Sequence, residues 1–204
     1  LYNIDNNIIG LDKSQYMVNR AKNKYPKCTF KNGDIMNNNL FEYNSFTHIL
    51  CLGRTLYLMK DKDTFFENCY SLLESNGYLI LNLLNRDDFD IFILNNNNKT
   101  LYNSENYGKK NTQHILKFND NIEYVSNYIL NKDITNDKDE YFSLINEKFQ
   151  NYKTNSVRKN VTELYMQKIS EILDTAKSKG FYYFNKIPYT DVGYKNEYLY
   201  ILKK

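Results

Sequence analysis

The chain is poor in the residues that build metal centres and disulfide frameworks. Its 204 residues include no tryptophan, only two histidines, His48 and His114, and three cysteines, Cys28, Cys51 and Cys69. No pair of these side chains has metal-ligand spacing, so a zinc site is not expected. An odd number of widely spaced cysteines on apolar segments argues against a disulfide framework. It predicts a reducing, cytoplasmic compartment in which the thiols act as small buried groups.

Long apolar runs and a strong charge of one sign are also absent. No apolar stretch approaches the roughly 18 to 20 residues that a membrane span needs. The first residues, 1–7, are mostly polar and do not form a signal peptide pattern. A formal net charge of +3 is too small to argue for nucleic acid or membrane as a partner. The sequence therefore predicts one globular domain over residues 1–204, without a membrane partner.

The first 84 residues alternate between strand and helix patterns. Short, nearly continuous apolar segments are separated by helices with apolar positions at helical spacing, which is typical of a parallel sheet covered on both faces. Ser14 is suited to cap the first helix and Pro26 to end it, while Asn76 and Gly77 are suited to end the second. The predicted strands are Asn7–Leu11, Lys27–Lys31, Phe46–Leu52 and Tyr78–Leu84, and the predicted helices are 14–25 and Asp61–Ser75.

The middle of the chain has a different pattern. Residues 95–111 are rich in asparagine and predict a loop, whereas 114–132 and 140–152 alternate between apolar and polar side chains. We interpret these two segments as antiparallel strands of an inserted, β-rich subdomain over residues 112–152, with a charged turn at 133–139.

The end of the chain returns to helix and strand. Apolar positions 165, 169, 172, 173 and 176 predict a helix over Tyr165–Lys179, with Gly180 as its stop. Phe181–Tyr189 and Glu197–Leu202 then predict two strands joined by a short turn around 191–196. Because no helix lies between these strands, they are expected to form a terminal antiparallel hairpin.

Acidic residues follow the first two predicted strands. Asp12 follows the apolar run from Ile8, and Asp34 lies 22 positions later in the sequence Asn-Gly-Asp-Ile. In doubly wound sheets that bind a nucleoside cofactor, acids at the carboxyl ends of parallel strands bind the ribose and lie beside the base. Two simpler interpretations stay open: Asp12 supports the start of the helix beside Ser14, and Asp34 belongs to a turn without any ligand.

The acid-ended strands, the segment Leu-Leu-Glu-Ser-Asn-Gly-Tyr-Leu-Ile-Leu (72–81), the helix running into Lys-Gly-Phe (179–181) and the closing hairpin occur in one order. Together they resemble the class I S-adenosylmethionine-dependent methyltransferases. The stretch 46–52, with 85–87 and 198–202, is more narrowly similar to uncharacterised methyltransferases of large DNA viruses of eukaryotes. The resemblance implies an α/β fold with a Rossmann-like doubly wound sheet, an inserted antiparallel subdomain and a terminal hairpin.

The resemblance also implies roles for individual residues. Asp12 is expected to accept both ribose hydroxyls of S-adenosylmethionine, and Asp34 to accept from the adenine amino group. The other predicted cofactor contacts are Lys13 and Met17 near the adenine, the Ile35 backbone amide at a ring nitrogen, and Leu52 and Gly53 at the sulfonium end. The predicted substrate contacts are Arg54, Tyr57 and Arg158.

The sequence departs from the family pattern in three ways. No strand followed by a glycine-rich turn precedes Ile8, so we expect the chain to lack the first strand and glycine-rich loop of the fold, as an N-terminally truncated fragment would. Thr47 stands where the family has an acid at the start of its fourth strand. His48 lies within that strand and is expected to be a core or edge histidine rather than a base.

Methyl transfer from a sulfonium needs little catalytic apparatus, because the methyl carbon is already activated by its leaving group. The protein mainly aligns the nucleophile with the methyl group, so the catalytic residues stay unknown from sequence. The inserted subdomain lies where small-molecule methyltransferases of this class often carry a lid. The sequence therefore favours a small-molecule N or O acceptor over nucleic acid or protein.

Two alternative functions stay open. The first is an incomplete methyltransferase-like domain that binds no cofactor, since the missing first strand would leave its neighbours with unpaired edges. The second is an NAD(P)-dependent short-chain dehydrogenase, which needs a tyrosine and a lysine one helical turn apart. Tyr128 with Lys132, and Tyr182 with Lys186, have this spacing, but both pairs lie on predicted strands, where residues four apart are separated by about 13 Å.

Overall fold

The computed structural model describes residues 7–88, 111–118, 121–132, 141–188 and 197–204. These residues form ten strands, three α-helices and two 3₁₀ turns. In chain order the elements are β1 (Ile9–Asp12), α1 (Gln15–Lys24), β2 (Thr29–Asn32), β3 (Phe46–Cys51), a 3₁₀ turn (Thr55–Leu58), α2 (Lys62–Leu72), β4 (Leu73–Leu84), a 3₁₀ turn (Arg86–Asp88), β5 (Asn111–Phe118), β6 (Ile122–Lys132), β7 (Tyr141–Asn151), β8 (Ser156–Tyr165), α3 (Ile169–Ser178), β9 (Tyr182–Pro188) and β10 (Glu197–Lys203).

β1, α1 and β2 form the predicted parallel βαβ unit. β1 pairs with β2 in parallel, and Ser14 caps α1 by accepting a hydrogen bond from the Met17 backbone N–H at 3.4 Å. The apolar face of α1 is less buried than the pattern predicted. Val18 is the buried residue of the helix, whereas Met17 is 47% exposed and Tyr25 is 51% exposed.

A four-stranded sheet in the order β3-β4-β10-β9 forms the centre of the fold. β3 and β4 are parallel, and β10 runs antiparallel to both β4 and β9, which confirms the terminal hairpin. Side chains of α2 and α3 pack on one sheet face. The members of this core include Phe65, Phe66, Cys69, Leu79, Leu81, Leu83, Ile172 and Ala176.

The predicted cover on both faces of the sheet is incomplete in the part of the chain that the structure describes. Leu79 and Leu81 of β4 point to the buried face of the sheet, whereas Leu50 of β3 pairs with Ile80 and points to the opposite face. Leu50 is 60% exposed, so that face is not covered there. β1 and β3 are also not paired with each other. Among the described strands, β1 pairs only with β2 and β3 only with β4, so the parallel strands belong to two sheets.

The second helix is shorter than its pattern predicts. α2 ends at Leu72, and β4 already begins at Leu73, before the predicted stop at Asn76 and Gly77. The reason is tertiary. The backbone N–H groups of Asn44 and Ser45 donate to the carbonyls of Ser71 and Leu72 at 2.9 Å each, which satisfies the helix end early.

The segment for which an inserted subdomain was predicted forms a four-stranded antiparallel sheet in the order β5-β6-β7-β8, which we call the inserted sheet. It extends beyond the predicted 112–152, because residues 156–165 form a fourth strand that the sequence analysis did not predict. The helix predicted from Tyr165 begins instead at Ile169. Tyr165 fits the helical repeat, but its backbone pairs with Phe142 of β7, and this ladder overrides the pattern.

Several predicted turns lie outside the described residues, namely 133–139, 191–196 and most of the loop at 95–111. In the part of the chain that is described, no helix is long and apolar enough to cross a membrane.

Candidate functional site

The predicted acids lie at the carboxyl ends of adjacent parallel strands. Asp12 is the last residue of β1 and pairs in register with Asn32, the last residue of β2. The Asn32 side-chain amide and the Gly33 backbone N–H both donate to the Asp12 carbonyl at 3.1 Å. These bonds hold the turn after β2 against the end of β1, and Asp34 follows directly in this turn.

Each acid uses one carboxylate oxygen for a local hydrogen bond. Asp12 Oδ1 accepts from the Ser14 backbone N–H at 2.8 Å, and Asp34 Oδ1 accepts from the Met36 backbone N–H at 3.1 Å. Asp12 thus supports the segment before α1, and Asp34 stabilises a local turn, as the simpler interpretations expect of these side chains. Within the described ranges, however, no group binds the second oxygen of either carboxylate, so both can accept a further hydrogen bond from a ligand.

Helix α2 supports the segment after β2. The buried Asn68 side chain donates from Nδ2 to the Ile35 carbonyl at 2.9 Å, and Ile35 and Met36 pack against the core. A cleft of about 640 Å³ lies beside this contact and contains none of the predicted site residues. It is lined by Met36, Asn37, Asn38, Asn39, Leu40, Tyr43, Thr64, Glu67, Asn68 and Ser71.

A left-handed turn follows β3. Gly53 and Arg54 have φ angles of 65° and 69°, and Leu52 before them is 38% exposed. A Cβ atom at Gly53 would meet nothing within 4 Å, so the backbone there borders open space. The structure thus places the predicted sulfonium-end residues Leu52 and Gly53 at the carboxyl end of β3, with an accessible backbone.

Arg54 is anchored by two residues that the sequence analysis did not identify. Its Nε and Nη2 atoms donate to Glu197 Oε1 at 3.3 and 3.2 Å, and the Asn82 side-chain amide donates to Glu197 Oε2 at 3.1 Å. Glu197 and Asn82 are both buried. The one available sequence signal was an acid at the start of an otherwise apolar terminal strand.

Tyr57, a predicted substrate contact, belongs to the core instead. Its side chain is fully buried. The Tyr57 hydroxyl donates to the Leu84 carbonyl at 3.3 Å, and its oxygen accepts a hydrogen bond from the Leu84 backbone N–H at 3.0 Å. Burial raises the pKa of the phenol well above its ordinary value. Tyr57 therefore fixes the end of β4 and is not accessible to an acceptor in this arrangement.

Two buried cations connect the inserted sheet to the core. Lys62 donates from Nζ to the Met59 and Tyr165 carbonyls at 3.0 and 3.1 Å, and Arg86 donates from Nη1 to the Met166 carbonyl at 3.0 Å. Burial lowers the pKa of Lys62 to about 8. These bonds fix the end of β8 beside the turn that follows β3.

Arg158, the third predicted substrate contact, is not brought to this turn. It lies on β8 opposite Phe149 and is exposed. Leu164, on the same strand, packs in the core, and six residues of extended strand separate the two by about 20 Å. Arg158 is thus on the distal part of the inserted sheet.

The remaining chemistry that the sequence left open can also be assigned. His48 is exposed on β3 and stacks on Tyr78 with ring centroids 5.4 Å apart, as an edge histidine.

Burial raises the pKa of the Cys51 thiol to about 12 and that of Cys69 well above its ordinary value, so these two cysteines are poor nucleophiles. Among the described residues, no three side chains of the metal-binding types cluster.

The tyrosine and lysine pairs of the dehydrogenase alternative lie on strands. Tyr128 and Lys132 belong to β6, and Tyr182 and Lys186 to β9. At strand rise the members of each pair are about 13 Å apart, which does not give the one-turn helical spacing that the dehydrogenase alternative requires.

Comparison with known proteins gives a family match for part of the chain. Residues 1–77 match the family model of the methyltransferase domain. No curated protein matches the sequence.

Solved structures share the fold over almost the whole chain. An S-adenosylmethionine-dependent methyltransferase from Clostridium acetobutylicum is 16% identical, with a TM-score of 0.67 over 96% of this chain and 74% of that one. The sugar N-methyltransferase KedS8 from Streptoalloteichus is 12% identical, with a TM-score of 0.62 over 96% and 70% of the two chains. CalS10, an amino pentose methyltransferase from Micromonospora echinaspora solved with S-adenosylmethionine, is 12% identical, with a TM-score of 0.60 over 96% and 72%.

The chain thus carries a methyltransferase-domain match over its first 77 residues and has the α/β fold of S-adenosylmethionine-dependent methyltransferases.

Proposed function

We propose that the protein transfers a methyl group from S-adenosylmethionine to a nitrogen or oxygen of a small molecule. The observation that carries this proposal is the pair Asp12 and Asp34. Asp12 ends β1 and Asp34 lies in the turn after the adjacent parallel strand β2, and each has one carboxylate oxygen left for a ligand. The pair lies within the segment that matches the methyltransferase domain.

The donor set fits the nucleoside part of the cofactor. A ribose diol and an adenine amino group are hydrogen-bond donors, and the open oxygens of Asp12 and Asp34 are acceptors. The further proposed contacts are Lys13, which precedes α1, Met17 on the first turn of α1, and the Ile35 amide. Bound there, the cofactor supplies a methyl group on a sulfonium, which is electrophilic without further activation.

The chain itself contributes alignment. Leu52 and Gly53 form the turn at the end of β3, and the open space at Gly53 lets a substrate approach the backbone. The Arg54 guanidinium, held by Glu197, gives this turn one fixed orientation. Holding the acceptor atom in line with the methyl carbon is the main catalytic task in such a displacement.

The inserted sheet supports a small acceptor rather than a macromolecule. Its β8 end is fixed beside the turn after β3 by Lys62 and Arg86, so it stands next to the proposed methyl site. Two proteins with this fold, KedS8 and CalS10, are described as methyltransferases of sugars or amino sugars. Arg158 on the distal part of the sheet is retained as a proposed acceptor contact.

Calorimetric titration of the protein with S-adenosylmethionine tests the proposal. Asp12→Asn and Asp34→Asn keep the oxygen that caps the local turn but remove the charged acceptor. Each is expected to weaken cofactor binding about tenfold or more. Asp174→Asn, at an exposed position of α3, is the matched control and leaves binding unchanged. Equal affinity in all four proteins would rule out this site.

One observation favours a second candidate, a methyltransferase-like domain that binds no cofactor. In the described part of the chain, β1 pairs only with β2 and β3 pairs only with β4. The other edge of β1 and the other edge of β3 are therefore unpaired among the described strands. The same titration decides between the two functions, because this candidate shows no heat of cofactor binding in the wild-type protein.

A further inference from the structure

A row of polar side chains crosses the inserted sheet at one register. His114 pairs with Ser126, Ser126 pairs with Glu147, and Glu147 pairs with Asn160. Directly paired residues of antiparallel strands project to the same face, so the four side chains form one line across β5, β6, β7 and β8. We call them the polar row.

The face that carries the polar row turns toward the core. Tyr128 lies two positions from Ser126 on β6, and Leu164 lies four positions from Asn160 on β8, so both share its face. Tyr128 and Leu164 belong to the same core cluster as Leu56, in the 3₁₀ turn after Arg54. The polar row therefore begins about 7 Å along β6 from a residue in contact with the core.

Glu147 is held in one orientation by two uncharged donors. The Tyr124 hydroxyl donates to Oε1 at 2.7 Å, and Asn160 donates from Nδ2 to Oε2 at 2.8 Å. Burial and the hydrogen bond to Glu147 raise the pKa of Tyr124 to about 12, so this phenol remains a donor at neutral pH. The Phe149 ring lies 4.5 Å from the Tyr124 ring and adds an aromatic wall beside the carboxylate.

Glu147 forms no ion pair with a basic side chain of the described residues. Across the described ranges, the basic side chains that form ion pairs are Arg54, Arg86 and Lys179, and their partners are other acids. Two oriented donors and no counterion make Glu147 ready to bind a cationic group of a ligand, because its oxygens need no rearrangement.

Ser126 continues the polar row beside Glu147. It is fully buried and pairs directly with Glu147 across β6 and β7. Its hydroxyl interacts with the Tyr124 phenol and opposes the rise in the Tyr124 pKa, but burial dominates. Ser126 and Tyr124 together therefore form the buried, uncharged side of the Glu147 carboxylate.

We propose that the polar row is the acceptor-binding surface, that the acceptor is a small molecule bearing a protonated amine, and that Glu147 is the counterion of this amine. The proposal rests on the proposed methyltransferase function and adds the chemical class of the acceptor. A neutral acceptor would leave the Glu147 carboxylate without a counterion, and an acidic acceptor would be repelled by it.

Binding of matched amines and alcohols tests the proposal. The probes are D-glucosamine with D-glucose, and tyramine with 4-hydroxyphenylethanol, with dissociation constants measured by NMR titration at neutral pH. We expect at least one amine to bind the wild-type protein about tenfold more tightly than its hydroxyl counterpart. We expect Glu147→Gln to abolish this preference. Equal affinity within both pairs, or an amine preference that survives in Glu147→Gln, would overturn the proposal.

A second variant controls for folding. Glu147→Gln places an amide opposite the Asn160 amide, whereas Glu147→Gln with Asn160→Asp keeps one donor, one acceptor and the negative charge in the polar row. The double variant is expected to recover part of the amine preference. A double variant that folds but recovers none of the preference would count against the counterion role, because it carries both the negative charge and the hydrogen bond in the polar row.

Titration with S-adenosylmethionine separates this inference from the proposed function. Glu147→Gln is expected to bind the cofactor as the wild type does. If the wild type binds no cofactor but prefers amines through Glu147, the methyltransferase function fails and the amine site stands. If the cofactor binds and the amine preference is absent, only the amine site fails.

Discussion

Arg54 and Glu197 form an ion pair across 143 positions of the sequence, with both Arg54 Nε and Nη2 within 3.3 Å of Glu197 Oε1. The pair joins the turn after β3 to the first residue of β10. Arg54 has a φ of 69°, a conformation that costs a residue other than glycine about 1–2 kcal/mol. The ion pair offsets this cost, so the geometry of the turn at Gly53 depends on the C-terminal strand.

Removing Glu197 is expected to destabilise the fold. Glu197→Ala removes the carboxylate that accepts from the Arg54 guanidinium and from the buried Asn82 amide, which is expected to lower the free energy of unfolding by about 2–3 kcal/mol. Urea denaturation measures the change, and Glu74→Ala, at an exposed position, is the control. In the double variant with Arg54→Ala, the loss should be smaller than the sum of the single losses by about 1–3 kcal/mol. Strict additivity would contradict the coupling.

Lys62 is expected to give stability an unusual dependence on pH. Its pKa is lowered to about 8 in the folded protein from an ordinary 10.5, so between these values the unfolded chain holds a proton that the folded protein has released. The free energy of unfolding therefore rises with pH in this window, by at most about 1.4 kcal/mol per pH unit from this group.

Denaturation of the wild type and of Lys62→Met at pH 8 and pH 9.5 tests this sign. The wild type is expected to gain stability relative to Lys62→Met as the pH rises, since methionine binds no proton. Lys60→Met, at an exposed neighbouring position, should track the wild type. A wild type that loses stability relative to Lys62→Met over this range would show that the pKa of Lys62 is raised.

Tyr57→Phe is expected to affect stability without affecting acceptor recognition. The substitution removes the hydroxyl that binds both backbone groups of Leu84, and the expected cost is about 1–2 kcal/mol of unfolding free energy. Thermal denaturation measures it, with Tyr16→Phe at a 70% exposed position as the control. A Tyr57→Phe variant that keeps full stability but no longer binds the methyl acceptor would show that Tyr57 is a substrate contact.

Alanine at two glycines with positive φ is expected to have unequal effects. Gly180 has a φ of 99°, and a Cβ there would come within 2.8 Å of the Tyr70 ring, so Gly180→Ala should cost about 2–4 kcal/mol. Gly53→Ala meets open space and should cost only about 1 kcal/mol of backbone strain. Unfolding curves of the two variants give the comparison, and equal losses would show that the contact with Tyr70 relaxes freely.

Much of the fold could be predicted from local patterns. The capping Ser14, the breaker Pro26 and the stop at Gly180 are short-range signals, and the elements they bound lie within a few residues of the predicted ones. The placement of Asp12 and Asp34 at strand ends was also predictable, because the end of an apolar run marks the end of a buried strand.

The errors arose where distant segments compete with local preference. α2 ends early because Asn44 and Ser45 reach its last carbonyls, and β8 is a strand because β7 pairs with it along ten residues. The position of Tyr57 could not be predicted from sequence either, because an apolar 3₁₀ turn after a strand can line the entrance of a binding site or pack in the hydrophobic core.

The sequence by itself determined most of the order of helices and strands, with β8 as the exception, and the acids Asp12 and Asp34 after the first two apolar runs, because these follow from side-chain periodicity and from turn residues. Only the tertiary structure decided which residues meet: Glu197 with Arg54, Lys62 with Tyr165, and Glu147 with Tyr124 and Asn160. Such contacts join residues far apart in the chain, and register and strand order, which no local pattern encodes, bring them within hydrogen-bond distance.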